Sequence, residues 1–594
     1  MNAPSGLGRG GFDWWCALPD VDAAAASANR LSDAGAVLAR HPSGRPWIAG
    51  TATMDFDVVD LGPAHVAVIG ECLASTAQLT AAAMLGFEDV LALPGSFHAL
   101  MTTPASLTAA GDAAGFRRLF TTNTSPPVVC SHADVARRFT SGLVDPVWLA
   151  CKLASPEPPS VVREARSPFS GVTPVPAGSR VDVTTTGCRT RRWWTPPTAT
   201  RTLTDGADAL REALATAVAR RIEHARGLVS VQLSGGLDST VLAHLAEPAE
   251  PLLITTVGRS PIDDDFRWST NVASAQHRSE YRLIPAAEAP EFFADLASPA
   301  PRLDEPPSFA AGRARQQYTA SLLAAEGSAL NLNGQGGDEV LLAPLAYLRA
   351  ALRSVPRVGW RHLRGHAALG NIPTSEMVHS LLRRESYADW LGRSGRTLCV
   401  EQPVARATTG WEAPPLMPPW ASTNAVDLVR SAILGAEPTE AAGDQTTHAA
   451  LVRIRASAYR AALYRDAMQA AGVPTSMPFF DRSVLEACLA VLPWERTDPW
   501  QPKPLLRKAF RHDVSAPNLS RRTKGEYNAD IHHGWRTHRR DVADLLAEPK
   551  LADHDLIDPA LLHHVLNAFG PSGLPPAWVT DLIAIETWLR QQST

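Results

Sequence analysis

Short apolar runs in the second half of the chain predict buried β-strands. Residues 229–233, 252–257 and 329–332 are rich in aliphatic side chains and are bounded by polar or glycine-containing segments. Runs of this length without strict alternation are typical of strands in a parallel sheet that is covered on both faces. Since helices are needed to cover such a sheet, the pattern predicts an α/β domain with a mostly parallel sheet.

A change in composition marks the boundary before this domain. Residues 155–204 are rich in Pro, Thr and Arg, which is the composition of an extended connector. An apolar residue then recurs every four positions, and this spacing predicts an amphipathic helix that begins near residue 204 and ends at Gly227. The apolar stripe consists of Leu210, Leu214, Val218 and Ile222. We therefore predict one domain over residues 1–200 and a second over residues 201–594.

A glycine-rich turn follows the first predicted strand. Residues 234–239 read Ser-Gly-Gly-Leu-Asp-Ser, and the apolar residues behind them start a helix. Glycine lets the backbone wrap closely around an anion, and the unpaired N–H groups of the first helical turn attract negative charge. The turn therefore predicts a phosphate-binding site. It lacks the Lys of a Walker loop, so another class of nucleotide-binding protein is indicated.

A second glycine-rich turn, Asn-Gly-Gln-Gly-Gly-Asp-Glu at residues 333–339, follows the third predicted strand. Together the two turns resemble the synthetase domain of the asparagine synthetase family, in which the first turn is the PP-loop of the ATP pyrophosphatases. Further segments agree in order with motifs of this family: Pro-Phe-Phe-Asp at 478–481, Lys-Pro-Leu-Leu-Arg-Lys-Ala-Phe at 503–510 and Arg-Arg-Thr-Lys-Gly at 521–525.

The resemblance implies an enzyme that uses ATP and Mg²⁺ to activate a carboxylate. A carboxylate is a poor electrophile, so it is first converted to an acyl-adenylate with release of pyrophosphate, and an amine then attacks. The resemblance makes Asp238 and Asp338 the Mg²⁺ ligands. It makes Lys503 and Lys524 the cations that stabilise the negatively charged intermediates, and all four residues are catalytic candidates. The residues that it places around ATP are Leu233, Ser234, Gly235, Gly236, Asp238, Ser239, Val257, Asn333, Gly334 and Gln335.

Gln335 departs from the family pattern. The asparagine synthetases carry Glu at this position, and the related β-lactam synthetases carry a catalytic Tyr. A Gln side chain cannot act as a general base. If the incoming amine has to be deprotonated, another group must do it, such as Glu339, Lys524 or the substrate's own phosphate. A nucleophile different from that of the relatives is therefore predicted.

Residues 1–200 depart from the family in a second way. Class II glutamine amidotransferase domains use an N-terminal Cys, whose thiol attacks glutamine, whereas this sequence begins Met-Asn-Ala-Pro and its first cysteine is Cys16. An internal cysteine has no free α-amine to assist. The segments at residues 174–179 and 193–197 nevertheless resemble the end of such a domain. We therefore predict a degenerate α+β amidotransferase-like domain, kept for structure or partner binding, and an amine other than ammonia.

Composition and charge argue against other classes of function. The net charge of −4 disfavours a nucleic-acid partner. No apolar run is long enough to span a bilayer and no signal peptide is evident, so we predict a cytoplasmic protein without a membrane partner. Seven cysteines without a Cys-x-x-Cys pair indicate reduced thiols. His362 and His366 are spaced to face one metal ion, but without further ligands a solvated helix face is the preferred interpretation.

An asparagine synthetase-like chain of 594 residues without the amidotransferase cysteine resembles the macrolactam synthetases of lasso peptide biosynthesis. The segment at residues 41–47 is also similar to those enzymes. The resemblance implies adenylation of an Asp or Glu side chain of a precursor (core) peptide, followed by attack of its N-terminal amine to close an isopeptide ring. It also implies a leader peptidase as a partner. The alternatives are a β-lactam synthetase-like or other small-molecule amide synthetase, an ammonia-using asparagine synthetase, and a pseudoenzyme scaffold.

Overall fold

The computed structural model describes residues 12–592 except residues 25–34, 52–53, 186, 261–262, 402, 524, 526 and 569–576. The strands, numbered in chain order, are β1 Trp15–Ala17, β2 Ala36–Arg40, β3 Pro46–Gly50, β4 Phe56–Asp60, β5 His65–Cys72, β6 Gly95–Thr102, β7 Leu107–Ala110, β8 Leu119–Thr122, β9 Val129–Cys130, β10 Val172–Val175, β11 Ser179–Thr184, β12 Gly187–Arg192, β13 Leu228–Gln232, β14 Leu252–Thr256, β15 Glu280–Ile284, β16 Ser328–Leu332 and β17 Thr475–Ser476. The longer helices are Thr76–Leu85, Leu203–His224, Leu237–Ala246, Asp265–Ala275, Arg313–Ala325, Tyr347–Ser354, Pro356–Leu369, Thr374–Leu382, Tyr387–Arg396, Thr423–Leu434, Gln445–Ala470, Arg482–Leu489, Asn528–Thr537, Pro559–Ala568 and Ala577–Gln592. None of the described helices is both long and apolar enough to cross a bilayer.

The N-terminal half contains two antiparallel sheets of six strands, in the orders β10-β8-β9-β1-β3-β2 and β12-β11-β7-β6-β5-β4. Side chains from both sheets meet in one buried cluster, which includes Trp15 and Ile48 from the first sheet and Ile69, Leu100 and Val181 from the second. A shared cluster of this kind means that the two sheets pack face to face. The result is an antiparallel sandwich, in agreement with the predicted α+β class.

The prediction of an extended connector over residues 155–204 is wrong for most of that segment. It contains β10, β11 and β12, and the last two strands form one edge of the second sheet. Val181 and Val183 of β11 are buried, whereas the polar residues between and around them are mostly only partly buried. The abundance of Arg, Thr and Asp hides this two-residue alternation in the sequence. The link between β12 and the helix Leu203–His224 is confined to residues 193–202.

The C-terminal half is built on a five-stranded sheet with the order β15-β14-β13-β16-β17, in which every pairing is parallel. The three predicted strands are β13, β14 and β16. Val231 of β13 packs with the helix Leu203–His224, whereas Ile254 of β14 packs with the helix Arg313–Ala325, so both faces of the sheet are covered. The strand order changes direction at β13 and β16, and ligands bind beyond the carboxyl ends of strands at such a point.

A buried ion-pair network joins the two halves. Arg221, near the end of the helix Leu203–His224, donates two hydrogen bonds of 2.7 Å to the carboxylate of Asp481 and one of 3.0 Å to Glu71 of β5. Asp481 closes the Pro-Phe-Phe-Asp motif, and Phe480 of the same motif stacks on Phe116 of the N-terminal half with ring centroids 5.5 Å apart. This motif therefore packs the two halves together.

Residues 345–450, which match no motif, form much of the helical part of the C-terminal half. The interpretation of His362 and His366 as a solvated helix face is wrong, because His362 is only 1% exposed. The hydroxyl of Tyr347 lies 2.9 Å from Nδ1 of His362 and 3.0 Å from Nε2 of His366. A tyrosine hydroxyl thus occupies the position in which the two imidazoles would share a metal ion.

Candidate active site

A cleft of about 590 Å³ opens at the carboxyl edge of the parallel sheet. Both glycine-rich turns line it, together with Lys503 and the loop that contains Arg521. The volume is within the range of pockets that bind small molecules and cofactors. Most of the predicted ATP-binding residues line this cleft: Leu233, Ser234, Gly236, Asp238, Ser239, Asn333, Gly334 and Gln335.

The first turn directs a helix N-terminus at the cleft. Gly235 has a φ of +68°, which L side chains rarely adopt, and a Cβ there would lie 2.8 Å from the carbonyl oxygen of Asp265. Gly236 is the N-cap of the helix Leu237–Ala246. The hydroxyl groups of Ser234 and Ser239 lie 3.1 Å apart and close the turn. The N–H groups and dipole of this helix can therefore bind an anion in the cleft.

The second turn approaches the first so closely that only glycine fits. At Gly337 a Cβ would lie 2.4 Å from Cγ of Asp238, so any side chain there would displace that carboxylate. Gly336 has a φ of +93°, and a Cβ there would lie 2.7 Å from the ring of Phe480. The two glycines therefore allow Asp338 to stand opposite Asp238.

Asn333 holds the start of the second turn. Its Nδ2 donates a hydrogen bond of 2.9 Å to Oε1 of Gln232, and its Oδ1 accepts one of 2.9 Å from the N–H of Gln335. The hydroxyl of Tyr464 donates to the same oxygen of Gln232 over 3.0 Å. This network fixes the direction in which the second turn leaves β16.

Lys503 connects the two carboxylates. Its ammonium group forms ion pairs with Asp238 and Asp338, the second at 2.7 Å. Burial disfavours the ammonium ion, but the two carboxylates outweigh burial and raise the pKa of Lys503 above its ordinary value. The backbone of Lys503 has a φ of +52° at the start of the helix Pro504–Ala509, a conformation that is uncommon for residues other than glycine. Lys503 is therefore a fixed positive charge in the cleft.

The chemistry of these side chains fits a nucleotide bound with Mg²⁺. Asp238 and Asp338 offer carboxylate oxygens that converge on one point, and Mg²⁺ is usually bound by one or two carboxylates together with substrate phosphates. The helix N-terminus behind Gly236 and the ammonium group of Lys503 suit the phosphates themselves.

Arg521 attaches the Arg-Arg-Thr-Lys-Gly loop to the first turn, a role that the motif alone does not reveal. Its guanidinium group is buried and pairs with Asp264 at 2.7 Å and Asp265 at 2.5 Å. It also donates to the carbonyl oxygen of Ser234 over 3.4 Å. Arg507 donates to the carbonyl oxygen of Arg521 over 2.6 Å, so both arginines support the loop. The signal for this role in the sequence is the pair of arginines at the start of the motif.

The remaining predicted residues lie elsewhere or outside the described chain. Gly235 packs against the segment around Asp265. Val257 follows β14 and donates its N–H to the carbonyl oxygen of Ile284 over 2.9 Å, while Thr256 lines the cleft. Lys524 lies outside the described residues; its neighbours Thr523 and Gly525 both line the cleft.

Cys16 lies in the middle of the first antiparallel sheet. Its backbone pairs with Ala49 on one side and Cys130 on the other. The side chain is fully buried, and burial raises the pKa of the Cys16 thiol to about 12. Since the thiolate is the nucleophilic form, Cys16 is inert at neutral pH.

Cys16→Ala is expected to leave amide formation unchanged, and glutamine hydrolysis is expected to be absent before and after the substitution, because this thiol stays protonated. Glutamate release from glutamine measures the hydrolysis. Cys130→Ala removes a neighbouring buried thiol and is the matched control. Glutamate release that disappears in Cys16→Ala but persists in Cys130→Ala would contradict the prediction.

A parallel sheet with two glycine-rich turns at its carboxyl edge, two carboxylates and a lysine defines a nucleotide-binding α/β protein. The family model described as asparagine synthase matches residues 209–590. The chain belongs to this family. Membership implies ATP-dependent amide bond formation.

Comparison with solved structures gives distant matches. The allosteric regulatory enzyme of purine biosynthesis is 9% identical with a TM-score of 0.20, and the match covers 48% of this chain and 76% of that chain. Glutamine phosphoribosylpyrophosphate amidotransferase from B. subtilis, complexed with ADP and GMP, is 11% identical with a TM-score of 0.20, with 56% and 77% covered. No curated protein matches the sequence. Likeness at this TM-score bears neither on the function nor on the ligand of this chain.

Proposed function

We propose that the chain closes the macrolactam ring of a lasso peptide. A side-chain carboxylate of the precursor peptide attacks the α-phosphorus of ATP, which forms an acyl-adenylate and releases pyrophosphate. The N-terminal amine of the same peptide then displaces AMP and loses a proton, which leaves an isopeptide bond. The observation that supports carboxylate activation is the convergence of Asp238, Asp338 and Lys503 between the two glycine-rich turns.

Different residues of the cleft bind the parts of ATP, hold Mg²⁺ and stabilise the intermediates of this reaction. Ser234, Gly236 and Ser239 bind the pyrophosphate part of ATP at the helix N-terminus. Asp238 and Asp338 hold Mg²⁺, which neutralises charge on the phosphate oxygens. Two lysines stabilise the negatively charged intermediates: Lys503 and Lys524. Leu233, Val257, Asn333 and Gly334 are proposed to surround the adenosine.

Gln335 supports a peptide amine as the nucleophile. It lines the cleft but has no basic atom with which to take a proton. An α-amine has a pKa of about 7.7 to 8.0, so a large share of it is neutral near pH 8 without any base. Holding the amine against the adenylate then supplies the rate through effective concentration.

The alternatives are each disfavoured by a particular residue. An asparagine synthetase that takes ammonia from glutamine needs an active cysteine, and Cys16 is buried and protonated. A β-lactam synthetase has a Tyr where this chain has Gln335. A pseudoenzyme scaffold does not need the three charged groups that meet in the cleft, namely Asp238, Asp338 and Lys503.

ATP is expected to be split into AMP and pyrophosphate, because the first turn holds the leaving pyrophosphate while a carboxylate attacks the α-phosphorus. The substrates are ATP, Mg²⁺ and a mixture of synthetic peptides, each with a free N-terminal amine and one Asp or Glu. Chromatography of the nucleotide products measures the outcome. ADP and inorganic phosphate as the main products would reject the role of the turn.

Ring closure is measured in the same reaction as the loss of one water from a peptide by mass spectrometry. Acetylation of the N-terminal amine should abolish this loss, which makes the acetylated peptides the matched control. Efficient formation of asparagine from aspartate and ammonia, without dehydration of any peptide, would favour the asparagine synthetase alternative.

We also propose a leader peptidase as a partner, since the amine must be released from its leader. We propose the cytoplasm as the compartment.

A further inference from the structure

A second large cavity lies between the two halves of the protein. It encloses about 660 Å³. The N-terminal half contributes Lys152 and Glu157, the helix Gln445–Ala470 contributes Arg453 and Arg460, and the helix Ala577–Gln592 contributes Asp581. The walls between these charged groups consist largely of Pro, Ala and aromatic side chains. A cavity of this composition can bind a ligand that is partly apolar and partly charged.

The cavity borders the active-site cleft at two places. Asp338 lines the cleft, and the next residue, Glu339, lines the cavity. On the helix Gln445–Ala470, Tyr464 lines the cleft and Leu463 lines the cavity. The second glycine-rich turn and the helix Gln445–Ala470 therefore each contribute to both spaces. Glu339 of the cavity directly follows Asp338 of the cleft in the chain.

Two acidic groups of the cavity are engaged by neighbouring side chains. Glu157 pairs with Lys152 at 2.8 Å and with Arg163 at 3.3 Å. Glu412 accepts hydrogen bonds of 2.7 Å from the hydroxyl groups of Ser160 and Tyr387. These carboxylates stabilise the walls and are not available to a ligand.

Within the part of the chain that the structure describes, two other acidic groups form no direct ion pair, although Lys152 and Arg460 act on Asp581 from farther away. Among the described residues, neither Glu339 nor Asp581 forms an ion pair, although both line the cavity. Asp581 is hydrogen-bonded to Ser155, and burial raises the pKa of its carboxyl group to about 6. A partly buried carboxylate without a direct ion pair is less well stabilised than one in water, and an amino group placed beside it can supply the missing hydrogen bond. Arg453 and Arg460, which are exposed, are suited to peptide carbonyl and carboxylate oxygens.

We propose that this cavity binds the amine-bearing end of the precursor peptide, with its amino group on the side of Glu339 and Asp581 and its more distant residues along Arg453 and Arg460. The proposal rests on the proposed function and names the place from which the N-terminal amine of the same peptide reaches the adenylate. A water-sized molecule such as ammonia needs only about 30 Å³, so the cavity has room for a much larger occupant. The mixed charges and apolar walls fit a peptide segment.

Two substitutions test the cavity without touching the cleft. Ala413 is exposed and lines the cavity, so Ala413→Trp fills the space with little effect on the fold. Asp581→Asn removes one negative charge at nearly constant volume. The matched controls lie on the surface of the same half: Ala543→Trp on an exposed helical position, and Asp553→Asn at an exposed ion pair with Lys550.

Peptide binding is measured apart from catalysis, by fluorescence anisotropy of the synthetic peptides labelled at their C-terminus. Ala413→Trp and Asp581→Asn are each expected to weaken binding at least about tenfold, the size of one lost charge-assisted contact. The KM for ATP should stay unchanged. Both controls should bind the peptides as the original chain does.

The outcomes separate the two proposals. If both cavity substitutions weaken peptide binding but the original chain closes no ring, the proposed function is rejected and the peptide-binding site is supported. Binding that neither substitution affects, or no binding at all, would overturn the inference. Ring closure with normal binding in both variants would retain the proposed function and locate the peptide elsewhere. An equal loss of peptide binding in Ala543→Trp or Asp553→Asn would show a general effect on the fold. That result would also overturn the inference.

Discussion

Turnover is expected to fall at least about 100-fold when Asp238 is replaced by Asn, because the substitution removes a charge that acts directly on the phosphate chemistry. The side chain has almost the same volume, and Lys503 keeps its ion pair with Asp338. The fold is therefore expected to survive. Release of pyrophosphate measures turnover, and the melting temperature measures the fold. Asp338→Asn is expected to have a similar effect.

Asp208→Asn is the matched control for this prediction. Asp208 is exposed on the helix Leu203–His224, far along the chain from either glycine-rich turn. Its loss changes the net charge by the same amount and should leave turnover intact. Near-normal turnover of Asp238→Asn with an unchanged melting temperature would show that Asp238 is not part of the catalytic site.

The largest effect on stability is expected for Arg221→Met. Methionine keeps much of the apolar stem but leaves the buried Asp481 without its cation, and leaves the partly buried Glu71 with only the more distant Arg117. Removing one partner of a buried ion pair typically lowers the free energy of unfolding by about 3–5 kcal/mol. The urea midpoint of unfolding, followed by tryptophan fluorescence, should therefore decrease clearly.

The neighbouring residue provides the control. Arg220 is 45% exposed and pairs with Glu223 on the surface, so Arg220→Met should change the free energy of unfolding by about 1 kcal/mol or less. Replacing Arg221, Asp481 and Glu71 together by Met, Asn and Gln should recover part of the loss, because Asp481 is then no longer a buried charge without a partner. Equal midpoints for Arg220→Met and Arg221→Met would contradict the importance of the network.

The parts of the molecule that could be predicted are those that local sequence determines. The three strands and the two turns follow from apolar runs and from glycines whose backbone geometry is set within a few residues. Gly337 is an example, because its place in the motif already implies a close approach of the backbone. The structure shows which group the backbone of Gly337 approaches, namely the carboxylate of Asp238.

The parts that could not be predicted depend on residues far apart in the chain. The role of Asp481 requires Arg221, which lies 260 positions earlier. His362 is buried and forms a hydrogen bond with the hydroxyl of Tyr347, and helical spacing carries no information about that contact. The strands within residues 155–204 pair with distant strands, so their polar composition misled the prediction. The second cavity also has walls from both halves, and no motif describes such a surface.

The ring of Phe116 links the N-terminal half of the chain to the candidate active site. Phe116 stacks on Phe480, and Phe480 in turn fills the space beside Gly336 in the second glycine-rich turn. Deleting the N-terminal half would leave Phe480 exposed and the turn unsupported. The shape of the second glycine-rich turn therefore depends on a side chain from each half of the molecule, so a substitution at Phe116 can reach the cleft through Phe480.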